Sequence, residues 1–147
     1  MKQVHIGVGV LAIAIWTLTA AYGAWCWWRV SSSPWFWRLV RAAQVVLLVQ
    51  IALGGVLVLA GHKPPGLHVL YGILPLLISL VAEALRAASA QMILDARGYE
   101  SAQAVGNQPA EEQRAVVLAI LRRELGLMTL AAVVIVVLLL RAAQTAG

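Results

Sequence analysis

The stretch LVRAAQVVLLVQIALGGVLVLAGHKPPGLHVLYGILPLLISLVAEAL, residues 39–85, holds two apolar runs joined by Gly61-His62-Lys63-Pro64-Pro65-Gly66. Each run approaches the roughly 20 residues a helix needs to cross a hydrocarbon core about 30 Å thick. The double proline ends the first helix and presets the opening turn of the second. So short a connection makes the two helices antiparallel neighbours. Outward from this pair, Val4 to Val30 precedes it through Ser31-Ser32-Ser33-Pro34, and Leu125 to Leu140 forms a fourth apolar run. The pattern predicts an all-α protein, an integral membrane four-helix bundle of antiparallel, up-and-down order. It is a single transmembrane domain over residues 1–147, with helices at about 4–30, 39–60, 67–85 and 125–140.

Residues 87–124 carry most of the polar side chains and predict a cytoplasmic helical extension between helices 3 and 4. Its first part continues helix 3 through Ala90, Met92 and Ile93 to Asp95, with breaks at Gly98 and Gly106-Asn107. Pro109, followed by Glu111 and Glu112 at the positive end of a helix dipole, starts a new helix. Val116, Val117, Ile120 and Leu121 lie on one side of it. Such a helix lies at the membrane surface before turning into helix 4, or runs straight into it.

Composition supports this reading, since 62% of the residues are hydrophobic and 12% charged, against about half and about a quarter in soluble domains. The net charge of +5 comes from basic residues scattered singly or in pairs at the edges of apolar runs. They make no stripe that could follow a phosphate backbone, so no nucleic-acid partner is expected. The partner they fit is the lipid bilayer. Cys26 is the one cysteine, which excludes an internal disulfide and any CxxC motif; it is expected in the helix 1 core near an interface. The first run is too long for a signal-peptide core and reads as a retained helix.

Arg29, Arg38, Arg41, Arg86, Arg97, Arg114, Arg122 and Arg123 fall on one side of such a bundle, and Lys2, Lys63 and Arg141 on the other. The arginine-rich side is cytoplasmic by the positive-inside rule, which puts both termini outside the cell membrane. Trp25, Trp27, Trp28, Trp35 and Trp37 cluster around the cytoplasmic turn and read as an interfacial aromatic belt.

All three histidines belong to the opposite, outer side: His5 opens helix 1, His62 lies in the turn, and His68 opens helix 3. Gly9 follows His5 by four residues and Gly72 follows His68 by four. Residues four apart share a helix face, so each imidazole stands beside a strip of bare backbone, which a porphyrin needs for close approach. Two neutral imidazoles from different helices suit the axial positions of heme iron. Lys63 and Lys2 lie at the same surface, where they can neutralise propionates. Gln50, polar within helix 2, needs a partner inside the bundle. Glu83 and Arg86, three apart, are expected to pair near the cytoplasmic end of helix 3.

Gln50-Ile51-Ala52-Leu53-Gly54, followed by Pro64-Pro65-Gly66-Leu67-His68, resembles the heme A synthase family, in which a QxxLG helix precedes a proline-containing turn and a heme-ligating histidine. His5-Ile6-Gly7-Val8-Gly9 resembles the other ligand helix of one four-helix half of that family. The resemblance covers residues 1 to about 85 and implies that His5 and His68 ligate heme. Ile6 stands where the family usually has arginine, and no glutamate occurs among residues 1–4. The resemblance therefore implies heme binding rather than heme hydroxylation.

Three functions compete. The leading one is a small b-type cytochrome with one heme b between His5 and His68, exchanging electrons with a membrane redox partner or quinol. The second is a cofactor-free accessory or assembly subunit, docking on a larger complex or as a homo-oligomer through small residues such as Gly7, Gly9, Ala12, Ala20 and Gly23. The third is a copper or zinc site of His5, His62 and His68.

Overall fold

The computed structural model describes residues 1–146. They form α1 (Lys2–Arg29), α2 (Pro34–Leu59), α3 (Gly66–Ala87), α4 (Ser89–Ala96), α5 (Ala102–Gly106) and α6 (Ala110–Gln144). The protein is all-helical among the described residues, and α1, α2, α3 and α6 are each long and apolar enough to cross a membrane.

Helix 3 does not run on to Asp95 as expected but ends at Ala87, with a turn at Ala88 before the separate α4; two further boundaries differ, each for a local reason. Helix α2 starts at Pro34 rather than near Leu39, because Ser33 is extended and Pro34 occupies the first turn, where a missing N–H costs nothing. Trp35 to Arg38 then form helical turns instead of a linker. Helix α6 takes the straight course: no proline or positive-φ residue interrupts Ala110–Gln144, so the surface segment and the apolar run are one helix. Inside α3, Pro75 is fully buried; its missing N–H leaves the carbonyl of Tyr71 without the usual partner, a local weak point in the ladder.

Helix α1 ends at Val30, whose φ of 48° and ψ of 47° are left-handed. The Ser31 amide reaches back to the Cys26 carbonyl at 3.1 Å, which satisfies an end carbonyl by the usual left-handed closure. A β-branched residue is badly suited to that conformation. Val30→Gly should therefore raise stability by about 1 kcal/mol. Thermal unfolding in detergent measures this, and an unchanged or lower melting point would contradict the strained cap.

The contacts run in a consistent sense. A Cβ added at Gly54, late in α2, would meet His5 at the start of α1, while one at Gly23, late in α1, would meet Phe36 at the start of α2. Both α1 and α3 lean on α6. One core joins Ala12 and Trp16 to Ala43, Leu47, Ala132, Ile135 and Leu139. A second, toward the Trp27 end, holds Cys26 with Phe36, Val40, Ala82, Leu125 and Met128, so Cys26 lies in the helix core where it is expected. A third, small core packs Leu94 of α4 and Val105 of α5 on Val116 of α6.

The outward faces are as apolar as the interior, with Leu18 61% and Leu59 89% exposed. Water would not favour so continuous an apolar surface, whereas lipid does. The small residues of α1 turn mostly inward: Ala12 and Gly23 are buried, and Gly9 meets Gln50. Ala20 and Gly9 are half-buried and Gly7 is exposed; of the glycines in that set only Gly7 has open space beside it.

Candidate functional site

His5 and His68 meet across one end of the helices, with ring centroids 6.1 Å apart and planes inclined by 70°. His68 stands in the first turn of α3, directly after the Pro64-Pro65 turn, with Pro65 as the residue that opens the helix. Its ring bonds the end of α6: Nδ1 lies 2.8 Å from the Ala142 carbonyl oxygen. A carbonyl only accepts, so Nδ1 carries the proton and the Nε2 lone pair is left available. Fixing one ring nitrogen on a backbone carbonyl is how ligating histidines are usually oriented. Ala142 lies in the last turn of its helix, and its carbonyl also accepts from the Thr145 amide at 3.3 Å and the Thr145 hydroxyl at 3.1 Å.

His5 is held differently. The Gln50 amide nitrogen lies 3.3 Å from its Nε2 and donates to it, which assigns the proton of a neutral ring to Nδ1. That Nδ1 is buried without a partner, as is Gln50 Oε1. Buried polar atoms normally find partners; Trp16 Nε1 and Thr129 Oγ1 are left without one as well. Gln50 does find the bundle partner its sequence position demands.

The glycines divide the work in another way than their spacing suggests. A Cβ at Gly54 would stand 3.3 Å from His5 Cε1, and one at Gly9 would stand 2.9 Å from Gln50 Nε2. Gly54 thus gives the His5 ring its close approach to backbone, while the strip beside Gly9 is filled by the Gln50 amide. Gly72 has nothing within 4 Å of an added Cβ, so an open strip does remain one turn below His68. Lys2 and Lys63 are both exposed.

His62 is exposed in the turn, and no three of His, Cys, Asp and Glu are grouped closely enough to hold a metal ion among the described residues. His5, His62 and His68 are therefore not brought together in the three-histidine group expected for copper or zinc, since His62 stays apart in the turn.

At the opposite end of the helices, Glu83 bonds Arg86 at 3.0 Å and Arg41 of α2 at 2.7 Å. Gln44 joins them, donating to Glu83 at 3.0 Å and to Ser79 at 3.1 Å. The Glu83–Arg86 pair follows from spacing, but Arg41 and Gln44 were legible only as a charge at a helix start and a polar residue one turn on. Arg86 also lies over the Trp37 ring at 5.0 Å. The network ties α2 to α3 and engages the Glu83 carboxylate with both arginines and Gln44.

Two imidazoles joined through one iron need iron-to-nitrogen bonds of about 2 Å each, hence nitrogens about 4 Å apart. Adding roughly 1 Å from nitrogen to ring centre on both sides gives a centroid separation of about 6 Å for nitrogens that point at one another; the observed 6.1 Å at 70° is equally an ordinary edge-to-face contact of two rings. No family model, curated protein or solved structure matches this chain.

Proposed function

We propose that this chain is a small integral membrane b-type cytochrome, holding one heme b between His5 and His68 and exchanging electrons with a membrane redox partner or quinol. The observation that carries the reading is the facing of two imidazoles 6.1 Å apart, one of them already oriented by a backbone carbonyl. The proposed setting is an antiparallel, up-and-down bundle in the cell membrane with both termini and the histidine end outside. The positions of the arginines support that orientation.

The residues suit heme. His68 presents Nε2, the His5–Gln50 contact at 3.3 Å is long enough to yield, and Gly72 and Gly54 keep backbone bare beside the rings. Lys2 and Lys63 supply cations at the same level for the propionates. Bound there, heme supplies the one-electron redox couple; the chain's part is to ligate, orient and exclude water. The alternative is a cofactor-free accessory or assembly subunit, for which Gly7 leaves open space on the outside of α1 while Ala12 and Gly23 are buried.

Absorption spectra of oxidised and reduced protein, purified from heme-replete cells, test the reading. A Soret band and sharpened reduced bands are expected, and a colourless protein would overturn it in favour of the accessory subunit. Orientation is checked separately: reporters fused after Ser32 and within residues 102–106 should be cytoplasmic. The reverse result would place the histidines on the inner side.

A further inference from the structure

A second site lies far from the histidines, where the end of α1 meets the middle of α6. A shallow, open groove of about 520 Å³ lies along α6, lined by Trp27, Arg122, Arg123, Gly126, Leu127 and Leu130 among others. Gly126 lets the indole lie directly on α6, since a Cβ there would stand 2.7 Å from the Trp27 ring. Arg122 and Arg123 are exposed and enter no ion pair among the described residues. The guanidinium of Arg123 instead rests 3.1 Å from Met92 Sδ of α4, a neutral and weak acceptor. Glu124, the next residue, does not line the groove.

The groove is thus divided along its length. Two cations that enter no ion pair among the described residues stand at its head, level with the boundary of the apolar run of α6, with the Trp27 indole packed on Gly126 below them, while Leu127 and Leu130 lie about 6 Å and 10 Å deeper at 1.5 Å per residue. That is the profile of an anionic phospholipid: phosphate at the interface, acyl chain below. Basic pockets between membrane helices hold such headgroups by this combination. We propose that the Trp27–Arg122–Arg123 groove binds one anionic phospholipid, with its phosphate on the two guanidinium groups and a chain along Leu127 and Leu130. This rests on the membrane-embedded setting but not on heme.

The test is native mass spectrometry of the detergent-purified full chain titrated with phosphatidylglycerol or with phosphatidylcholine. One phosphatidylglycerol should be retained in preference to phosphatidylcholine. The double variant Arg122→Gln/Arg123→Gln should bind it about thirtyfold more weakly, from about fivefold for each cation near a membrane surface. Arg38→Gln/Arg114→Gln removes the same charge elsewhere on exposed residues and should retain it. Equal binding by wild type and the groove variant, equal loss in both double variants, or equal uptake of phosphatidylcholine would each overturn the site. So would displacement by millimolar inorganic phosphate, because the apolar half would then contribute nothing. Release of the chain from membranes by alkaline carbonate would instead refute the membrane setting, independently of these arms.

Discussion

His68→Ala should abolish stable heme binding, taking heme content at equal protein yield from about one per chain to background. The ring supplies the one lone pair at the site already oriented by a backbone carbonyl, through the 2.8 Å bond to Ala142. Removing a group that merely orients a ligand costs about ten- to a hundredfold in metal affinity, and removing the ligand itself should cost more. His62→Ala should retain heme, since His62 is exposed in the turn. Gly54→Leu should lower heme content while sparing both ligands, because its Cβ would stand 3.3 Å from His5 Cε1 and push the ring aside. Gly72→Leu should also weaken binding, by filling the open strip below His68. Full heme in His68→Ala, or its loss in His62→Ala with Gly72→Leu unaffected, would remove the basis for the pair.

Gly23→Leu should prevent the helices from closing, seen as loss of folded protein or a large drop in melting temperature in detergent. A Cβ at this position would stand 2.6 Å from Thr129 Oγ1 and 2.7 Å from Phe36 Cε2. Neither neighbour has room to retreat, since Thr129 is 3% and Phe36 0% exposed. Gly23→Ala alone should cost about 1–3 kcal/mol, the usual range for overpacking a filled interior, and leucine should cost more. Gly55→Leu is the control, because nothing lies within 4 Å of an added Cβ there. A Gly23→Ala variant that melts like the wild type would mean that α1, α2 and α6 do not meet this closely.

The sequence makes the helices easy to find and their faces hard to assign. The number of apolar helices follows from hydropathy and the start of α6 from Pro109, although the apolar runs and the helices do not end at the same residues, and the position of His5 and His68 at one end follows from counting helix starts. Azimuth does not follow, because a helix that is apolar all round carries no stripe to say which side meets a neighbour. That is why Gly9 reads as the bare strip beside His5, whereas Gly54 on another helix takes that part. The Ala142 partner of His68 was hidden for a different reason. A backbone carbonyl has no side-chain signature, and the apolar run ends at Leu140 while the helix continues to Gln144. Arg41 was readable as a topological charge, yet its reach to Glu83 depends on how α2 and α3 are rotated.

The unbroken course of α6 has a mechanical meaning. At 1.5 Å per residue its 35 residues extend about 52 Å, well beyond the roughly 30 Å of a hydrocarbon core. Its first turns are gripped by Leu94 and Val105 through Val116, and its last turn holds the ring of His68 through Ala142. With no hinge between these two grips, the helix is a strut. The α4–α5 cap and the His68 ring thus rest on opposite ends of one uninterrupted helix.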